Sequence, residues 1–424
     1  MHPRVRDISG VGMGINRNMW RGGTRDRVFL SLVALLCVLA AASGARAQTS
    51  PVVLDARVGV HPGSTRLVLE MSVTVAYKIF TLADPYRVVI DFPEVAWRVP
   101  RTRMRASAGL VDQFRFGLFQ PGNSRVVIDT TVPVASAGHF MIAAKAGNPV
   151  RLVLDLKAVT RAAFLSGPRN AQSPDWRRPA RRQSPPAARP AANGRRVVVL
   201  DPGHGGVDPG TIGVSGTYEK YITLAVAKAA KRILEASGRY RVVLTRTRDV
   251  YVRLRNRFET AHRNKAELFL SLHADSMPNK KIRGGSIYTL SDKASDKEAE
   301  DLARRENKSD IIAGADLTGY APEVSRVLID LAQNDTNRES WYLARNLVGE
   351  LKKQIRLLRT SHRYAGFAVL KSPNVPSALI ELGYLSNRTD EKNLQKPRYR
   401  RRIGEALLRA IDRYFVRKDQ NSRS

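Results

Sequence analysis

The fold of the C-terminal half follows from one stretch, Arg196-Val197-Val198-Val199-Leu200-Asp201-Pro202-Gly203-His204-Gly205-Gly206. Its short continuous apolar run predicts a strand that is buried on both faces. The glycines after this strand let the chain turn sharply and leave the imidazole of His204 unobstructed. A helical pattern then begins near Tyr218, with apolar residues at helical spacing. The order of strand, loop and helix is typical of an α/β layer fold.

The segments after this first unit continue the alternation. Strand patterns lie at 240–245, 268–272, 285–290 and 377–381, and a helical pattern covers 254–264. Alternating strands and helices predict an α/β catalytic domain, residues 195–424, with a mostly parallel twisted sheet flanked by helices. In such sheets the functional residues gather beyond the carboxyl ends of the strands.

An all-β sandwich-like domain is predicted before the α/β domain, over residues 48–165. Short β-branched runs recur there, separated by Pro-Gly and Asp-Pro turn signals. The string Arg-Val-Val-Ile-Asp occurs twice, at 87–91 and 125–129, which indicates an internal duplication.

Two further segments are expected to lie outside both domains. An apolar run at 28–42 follows three arginines and precedes Ala45-Arg46-Ala47. This pattern predicts a secretory signal peptide over residues 1–47, and a retained membrane anchor is the alternative. Residues 166–194 are rich in proline and arginine and predict a basic linker.

The chain of 424 residues is strongly basic, with 71 Lys and Arg against 38 Asp and Glu and a net charge of +33. Such an excess indicates an anionic partner. We expect no nucleic acid, because the chain is exported and no aromatic residues are interleaved with its basic runs. We also expect no stable membrane span once the leader is removed. The only cysteine, Cys37, lies in that leader, so a metal would be held by His, Asp or Glu.

Four polar residues lie at the ends of predicted elements. His204 follows the first strand, Glu219 opens the next helix, His273 ends the strand at 268–272, and Glu381 ends the last strand. Two neutral imidazoles and one carboxylate form a zinc site with an open position for water. Zinc lowers the pKa of bound water from about 15.7 toward 7. A second carboxylate could then carry the proton to a leaving amine, which describes amide hydrolysis.

Each of these residues also has a structural explanation. Glu219 could serve the dipole of its helix, His204 could be a turn residue, and His273 could be a hydrogen-bonded histidine at a sheet edge. For Glu381 a functional role is the easier explanation, because burying an unpaired carboxylate costs free energy of folding. The glycine loop lacks the Gly-Lys-Ser/Thr ending of a phosphate-binding loop.

Taken together, the motifs resemble a known family. They are Val198-Val199-Leu200-Asp201-Pro202-Gly203-His204-Gly205-Gly206, Ser271-Leu272-His273-Ala274-Asp275 and Ile380-Glu381-Leu382-Gly383-Tyr384-Leu385-Ser386-Asn387. They resemble the zinc-dependent N-acetylmuramoyl-L-alanine amidases of the type 3 class. The resemblance implies one Zn²⁺ per catalytic domain, with His204, Glu219 and His273 as ligands and Glu381 as the catalytic carboxylate. The implied substrate is peptidoglycan, cut between N-acetylmuramic acid and the L-alanine of the stem peptide during wall remodelling and daughter-cell separation.

The all-β domain is similar to the AMIN domain, which targets such amidases to the envelope, often at division sites. The resemblance therefore implies a periplasmic protein. Arg257 lies in a pattern that also matches the family, and we interpret it as either structural or substrate-facing. Two other functions remain open: a non-catalytic peptidoglycan-binding envelope protein, and a zinc peptidase that cuts within the stem peptide.

A charged string between His273 and Glu381 allows two interpretations. It lies within residues 292–337, is rich in strong helix formers, and by its pattern predicts an exposed surface helix. The resemblance to periplasmic division amidases implies instead an autoinhibitory helix, displaced by an activator with a LytM-type domain. Its carboxylate, from Glu306 or Glu300, would then occupy the open position on zinc.

Overall fold

The computed structural model describes most of the chain after the predicted leader. The described residues are 50–100, 103, 107–145, 147–167, 194–315, 326–372 and 374–421, without the side chains of 326–334. The predicted signal peptide and nearly all of the predicted linker lie outside these ranges. Among the described residues, no helix is both long enough and apolar enough to cross a bilayer.

The N-terminal part consists of two packed β-sheets. Its elements are β1 Val52–His61, β2 Ser64–Met71, β3 Lys78–Leu82, β4 Arg87–Pro93, β5 Ala96–Trp97, β6 Val111–Gln120, β7 Asn123–Thr130, β8 Val134–Ile142, β9 Val150–Ala158 and α1 Arg161–Ser166. One sheet has the order β5-β1-β2-β9-β8 and the other β3-β4-β7-β6. Side chains such as Leu69, Ile90 and Ile128 form one core between them. The predicted all-β sandwich is confirmed.

The two copies of the Arg-Val-Val-Ile-Asp string lie side by side in this sandwich. Strands β4 and β7 pair antiparallel, with Arg87 opposite Asp129 and Asp91 opposite Arg125. Because side chains alternate along a strand, every second residue points away from the sandwich core. We call these residues the outer face: Arg87, Val89, Asp91, Arg125, Val127 and Asp129. Arg125 and Asp91 form a buried ion pair on it, with N–O distances of 2.6 and 2.8 Å.

The C-terminal part is an α/β domain. Its elements are β10 Arg196–Pro202, α2 Glu219–Ala236, β11 Tyr240–Leu244, α3 Leu254–Arg263, β12 Leu268–His273, β13 Gly285–Leu290, α4 Lys297–Glu306, α5 Ser309–Ile312, α6 Arg326–Leu351, β14 Leu357–Ala365, a 3₁₀ helix Ala368–Leu370, β15 Ser377–Glu381, α7 Arg388–Leu394 and α8 Pro397–Asn421. The sheet order is β11-β10-β12-β15-β13-β14. Strand β13 runs antiparallel to β15, and the other neighbouring pairs are parallel. The predicted mostly parallel sheet is confirmed.

Helices cover both faces of this sheet. Val198 and Leu200 of β10 contribute to a core shared with α2, α6 and α8. Val197 and Val199 face the other way and join a second core with residues of α3 and α4. A strand covered on both sides has no polar face, which explains the continuous apolar run that opens the domain.

The sequence analysis does not predict β14. This strand lies at the edge of the sheet and pairs with β13 alone. Most of its residues are partly or fully exposed, and its sequence contains arginine, serine, threonine and histidine. Edge strands carry polar side chains for this reason, so the pattern of a buried strand is missing.

Candidate metal and catalytic site

The sheet brings the predicted site residues to one edge. His273 and Glu381 end neighbouring parallel strands and lie side by side in the β12–β15 pair. Strand β10 ends at Pro202, which pairs with Leu272, so His204 follows two residues beyond the same edge. Gly203 between them lies against the His273 ring, and a Cβ placed there would be 2.4 Å from Cε1. Only glycine allows this approach of loop and imidazole.

Two buried arginines hold the loop that carries His204. His204 itself has a φ of +59°, which is uncommon for a residue other than glycine. Arg257 donates to the His204 carbonyl at 3.0 Å, and Arg246 donates to the Gly203 carbonyl at 2.9 Å. Arg257 also forms a buried ion pair with Asp201 at 2.9 Å. Of its two interpretations, the geometry favours the structural one, because Arg257 fixes the loop around the first imidazole.

Two imidazole nitrogens and two carboxylate oxygens lie close together at this edge of the sheet. Glu219 Oε1 lies 3.3 Å from both His204 Nε2 and His273 Nδ1. Glu306 Oε2 lies 3.5 Å from the first nitrogen and 3.1 Å from the second. Ligand atoms of His204, His273 and Glu306 all lie within 4.8 Å of one another. The structure therefore brings the three predicted ligands, His204, Glu219 and His273, close together. It places the Glu306 carboxylate beside them as a fourth group.

The donor atoms fit a metal ion. Neither His204 Nε2 nor His273 Nδ1 has a hydrogen-bond partner among the described residues, although both are buried. Burial opposes a positive charge on His273, but the carboxylates of Glu306 and Glu219 outweigh it and raise the pKa of His273 to about 10. A positive charge between the carboxylates of Glu219 and Glu306 is therefore electrostatically favoured. A divalent cation supplies that charge and uses the free nitrogen lone pairs.

A residue that the sequence analysis missed, Asp208, orients the first imidazole. Its Oδ2 lies 3.0 Å from His204 Nδ1, which favours the tautomer with the proton on Nδ1 and the lone pair of Nε2 facing the cluster. Burial raises the pKa of Asp208, but His204 and further hydrogen bonds outweigh this and lower it to about 2. Asp208 is therefore a carboxylate behind the metal-facing ring.

Two backbone amides hold the Glu219 side chain. Oε1 accepts a hydrogen bond from the Ala274 amide at 2.7 Å, and Oε2 accepts one from the Thr211 amide at 2.9 Å. Burial opposes ionisation, but His204 and His273 outweigh it and hold the pKa of Glu219 well below its ordinary value. Glu219 is therefore ionised, as a metal ligand must be.

Glu381 differs from the other carboxylates of the site. It is fully buried, its Oε2 accepts a hydrogen bond from the Asp275 amide at 3.0 Å, and its Oε1 has no partner in the described part of the chain. Burial raises the pKa of Glu381 well above its ordinary value; His273 lowers it, while Asp275 and neighbouring carboxylates raise it further. A carboxyl group with a raised pKa holds a proton more readily than an ordinary glutamate, which suits a group that transfers protons.

Family comparisons agree with this geometry. A model described as N-acetylmuramoyl-L-alanine amidase matches residues 198–413, about half of the chain, and an AMIN domain model matches residues 55–139. The chain belongs to the N-acetylmuramoyl-L-alanine amidase family. The predicted family and its N-terminal AMIN domain are thus confirmed, and so is the predicted amidase activity.

Several named amidases are similar to this amidase. AmiC of Escherichia coli is 33% identical over 373 residues, which cover 85% of this chain and 89% of that protein. AmiC of Neisseria meningitidis is 32% identical over 409 residues, covering 92% of this chain and 97% of that protein. The solved structure of AmiC2 of Nostoc punctiforme, at 28% identity, covers 53% of this chain and 99% of its own, with a TM-score of 0.40.

Of the two carboxylates predicted for an autoinhibitory helix, the amidase brings one to its site. Glu306 ends α4 and is 7% exposed. Glu300 lies on the exposed side of α4, where it forms ion pairs with Lys297 at 3.5 Å and Arg304 at 3.1 Å. The two glutamates are six positions apart on the helix, so their side chains point about 120° apart. The structure therefore does not bring Glu300 to the site.

The helical periodicity of the sequence distinguishes Glu306 from Glu300 as the glutamate that faces the site. The apolar residues Ala299, Leu302 and Ala303 form the buried side of α4. Glu306 follows Leu302 by four residues and Ala303 by three, so it continues this stripe toward the site. The helix is thus neither fully exposed nor fully buried, and its exposed side carries the charges that predict a surface helix.

The end of α4 and the residues after it also close over the site. We call residues 305–315 the capping segment. Arg305 donates to Asp275 at 2.5 Å, and Ser309 donates to Asp208 Oδ2 at 2.5 Å. Asp310 accepts hydrogen bonds from the Leu254 amide at 2.9 Å and from the hydroxyl group of Tyr251. The segment therefore contacts both the metal-facing cluster and the residues behind it.

A cavity of about 370 Å³ lies beside the cluster. His204, Glu219 and Asp275 line it from the amidase domain, and Arg115 lines it from the β-sandwich. Glu306 lines it from the capping segment. A substrate in this cavity would reach the metal-facing atoms next to the Glu306 carboxylate.

Proposed function

We propose that this amidase binds one Zn²⁺ through His204, Glu219 and His273 and cleaves the bond between N-acetylmuramic acid and the L-alanine of the stem peptide. The reaction serves wall remodelling and the separation of daughter cells. The supporting observation is the convergence of two buried imidazole nitrogens without hydrogen-bond partners on an ionised carboxylate. Two histidines and one carboxylate are a usual ligand set of catalytic zinc in hydrolases.

The bound ion would polarise the scissile carbonyl and lower the pKa of a water molecule toward about 7. The protein prepares this site in advance. Asp208 fixes the tautomer of His204, and the Thr211 and Ala274 amides fix the carboxylate of Glu219. Arg257 and Arg246 hold the loop between them. Side chains fixed in this way lose little entropy when the ion binds.

Glu381 is the proton carrier in this proposal. Its raised pKa and free Oε1 suit a group that takes a proton from the attacking water. The water oxygen adds to the carbonyl carbon, and the bond from that carbon to the L-alanine nitrogen breaks. Glu381 returns the proton to this nitrogen, so the stem peptide leaves as a neutral amine.

The capping segment keeps the enzyme inactive in this state. The Glu306 carboxylate lies within 3.5 Å of both metal-facing nitrogens and thus takes the place that water needs. An activator with a LytM-type domain would displace the segment and open the site. Gating of this kind protects the cell, because uncontrolled hydrolysis of its wall would lyse it.

The amidase acts in the periplasm, where its peptidoglycan substrate lies. Residues 1–47 serve as a Sec-type signal peptide that directs export and is removed. Residues 48–165 bind the wall or a division-site component and bring the catalytic domain to its substrate.

Mass analysis of the products tests the reaction. Purified sacculi are digested with a Glu306→Gln variant, which opens the site, and with the double variant Glu306→Gln/Glu381→Gln. We expect free stem peptides that begin with L-alanine from the first variant. The second variant should be slower by roughly 10²- to 10⁴-fold, the usual contribution of a general acid–base. A chelator should abolish the release, and Zn²⁺ should restore it.

A matched control replaces a different buried glutamate. Glu350 is 1% exposed and pairs with Arg409 at 3.0 Å, within the packing of α6 against α8. Glu306→Gln/Glu350→Gln should retain the product pattern. Fragments cut within the stem peptide would identify a zinc peptidase. Binding to sacculi without any product would identify a wall-binding protein, and either result contradicts the proposal.

A further inference from the structure

The capping segment contacts the β-sandwich as well as the amidase domain. Arg87 donates from Nη1 to the Ile311 carbonyl at 2.5 Å, and Arg125 donates from Nη1 to the Gly314 carbonyl at 2.5 Å. Ile311 lies in α5 and Gly314 lies two residues beyond its end, and the Ile311 carbonyl also accepts a hydrogen bond from the Gly314 amide at 2.9 Å. Two charged donors from one sheet therefore bind the end of the segment.

Both arginines begin a copy of the duplicated string. The antiparallel register places Arg87 and Arg125 at opposite ends of the outer face, with Val89 and Val127 between them. Gly314 lies on these valines: a Cβ placed there would be 3.0 Å from Val127 Cγ2 and 3.5 Å from Val89 Cγ2. The outer face thus has an apolar centre and, at each end, an arginine opposite an aspartate, and the two arginines donate to the segment.

An apolar cluster joins the three parts of the molecule at this point. Phe119 of the β-sandwich stacks on Tyr251 of the amidase domain, with ring centroids 5.8 Å apart. Both pack with Ala313 and Ala315 of the capping segment, and all four are buried. The Arg125 guanidinium lies 3.6 Å from the centroid of the Phe119 ring. Removing the segment would expose these rings to water, which favours the closed state.

We propose that the β-sandwich has a second function: its outer face holds the capping segment closed over the active site. This inference rests on the proposed inhibitory role of Glu306. Only four residues lie between Glu306 and Ile311, so anchoring Ile311 and Gly314 also fixes the carboxylate in the site. Opening the site then requires the segment to leave the β-sandwich, which makes the targeting domain part of the inhibitory device.

Two substitutions test the contact from its two sides. Arg87→Gln removes a charged donor from the outer face. Gly314→Val alters the segment alone, because a β-branched residue is strained at its φ of +62° and would press on Val127. In the full mature chain without activator, Arg87→Gln should hydrolyse sacculi roughly tenfold faster or more, the factor for losing one charged hydrogen bond. Gly314→Val should also hydrolyse sacculi faster, because the segment no longer fits against Val127.

Matched controls change the same residue types elsewhere in the β-sandwich. Arg66→Gln breaks an ion pair with Asp155 at 2.7 Å in the other sheet. Gly147→Val introduces the same side chain at a φ of +79°, where no atom lies within 4 Å of a Cβ. Both control variants should keep the wild-type basal rate.

Amide hydrogen exchange gives a second readout that does not depend on activity. The amides of Ala313, Gly314 and Ala315 bond to carbonyls within the segment. They should exchange at least several-fold faster in both test variants, because exchange follows local opening. The amides of β10 should exchange as in the wild type, which shows that the amidase domain remains folded.

The activity of Glu306→Gln separates the two levels of the proposal. If it is raised while Arg87→Gln and Gly314→Val keep wild-type rates and exchange, the second function is refuted and autoinhibition stands. If Glu306→Gln also keeps the wild-type rate, both are refuted. Faster hydrolysis and faster exchange in the two test variants, with unchanged controls, would support the second function.

Discussion

Replacing Glu306 by glutamine tests autoinhibition most directly. The substitution keeps the shape of the side chain and removes its charge. The helix should stay in place, because Ala299, Leu302 and Ala303 remain buried and Asp296 still caps the N-terminus of α4 through the Ala299 amide at 2.9 Å. The change therefore acts on the contact with the metal-facing cluster and leaves the packing intact.

The contacts set the size of the effect. The carboxylate lies 3.1 Å from His273 Nδ1 and 3.5 Å from His204 Nε2, and the side chain is almost fully buried. We take for this buried contact the value of one interaction with a charged group, about 1.5–3 kcal/mol. Losing that much raises the fraction of open molecules roughly 10- to 150-fold, and the basal rate rises with it until most molecules are open.

The assay is the initial rate of stem-peptide release from purified sacculi without activator, with the zinc content measured in parallel. Glu300→Gln is the matched control, because Glu300 lies on the same helix and its side chain is 53% exposed. We expect the wild-type rate from this control. Equal rates for wild type, Glu306→Gln and Glu300→Gln at equal zinc content would refute the reasoning.

Three further predictions concern the support of the site. Asp208→Ala should lower the zinc affinity about 10- to 100-fold, measured by competition with a chromophoric chelator, because His204 loses its orienting partner. Removing the metal should lower the unfolding temperature, measured by calorimetry with and without added Zn²⁺, because the ion binds only the folded chain. Burial raises the pKa of Asp201, but Arg257 and two hydroxyl groups outweigh it and lower the pKa below its ordinary value. The ionised pair thus stabilises the fold above about pH 4 and loses its effect as the pH falls through the lower folded value. Asp201→Asn should cost on the order of 3–5 kcal/mol in urea unfolding at pH 7, and less as the pH falls below 4. A pH-independent difference would contradict the assignment.

The fold was largely predictable because its strands are either buried on both faces or bounded by turn signals. The runs at β10, β12 and β15 are apolar because helices cover both sides of the sheet. The same continuous burial in β4 and β7 has a different cause. One side faces the sandwich core and the other faces the capping segment. The apolar pattern of a strand indicates that the strand is buried, but it does not indicate which part of the protein covers it. The contact between the capping segment and the β-sandwich was therefore not predictable from the sequence.

The site was predictable where residues follow the ends of strands. His273 and Glu381 are neighbours because the register of two parallel strands makes them so. Asp208 was missed because it contacts His204 through a local turn, which has no periodic pattern. No role was predicted for Arg246, because it donates to the backbone carbonyls of Pro202 and Gly203, and a contact with backbone atoms depends on no particular residue type.

The connection between β13 and β14 has a consequence for how such enzymes diversify. These strands are parallel neighbours, and a crossover between them needs only one helix, which α6 supplies. Residues 307–315, which follow α4 and belong to neither of the two cores that cover the sheet, are surplus to that topology. Insertion, deletion or lengthening at this position would leave the pairing of the catalytic strands unchanged. Lineages could therefore gain or lose control of the enzyme in a single event, without having to rebuild its chemistry.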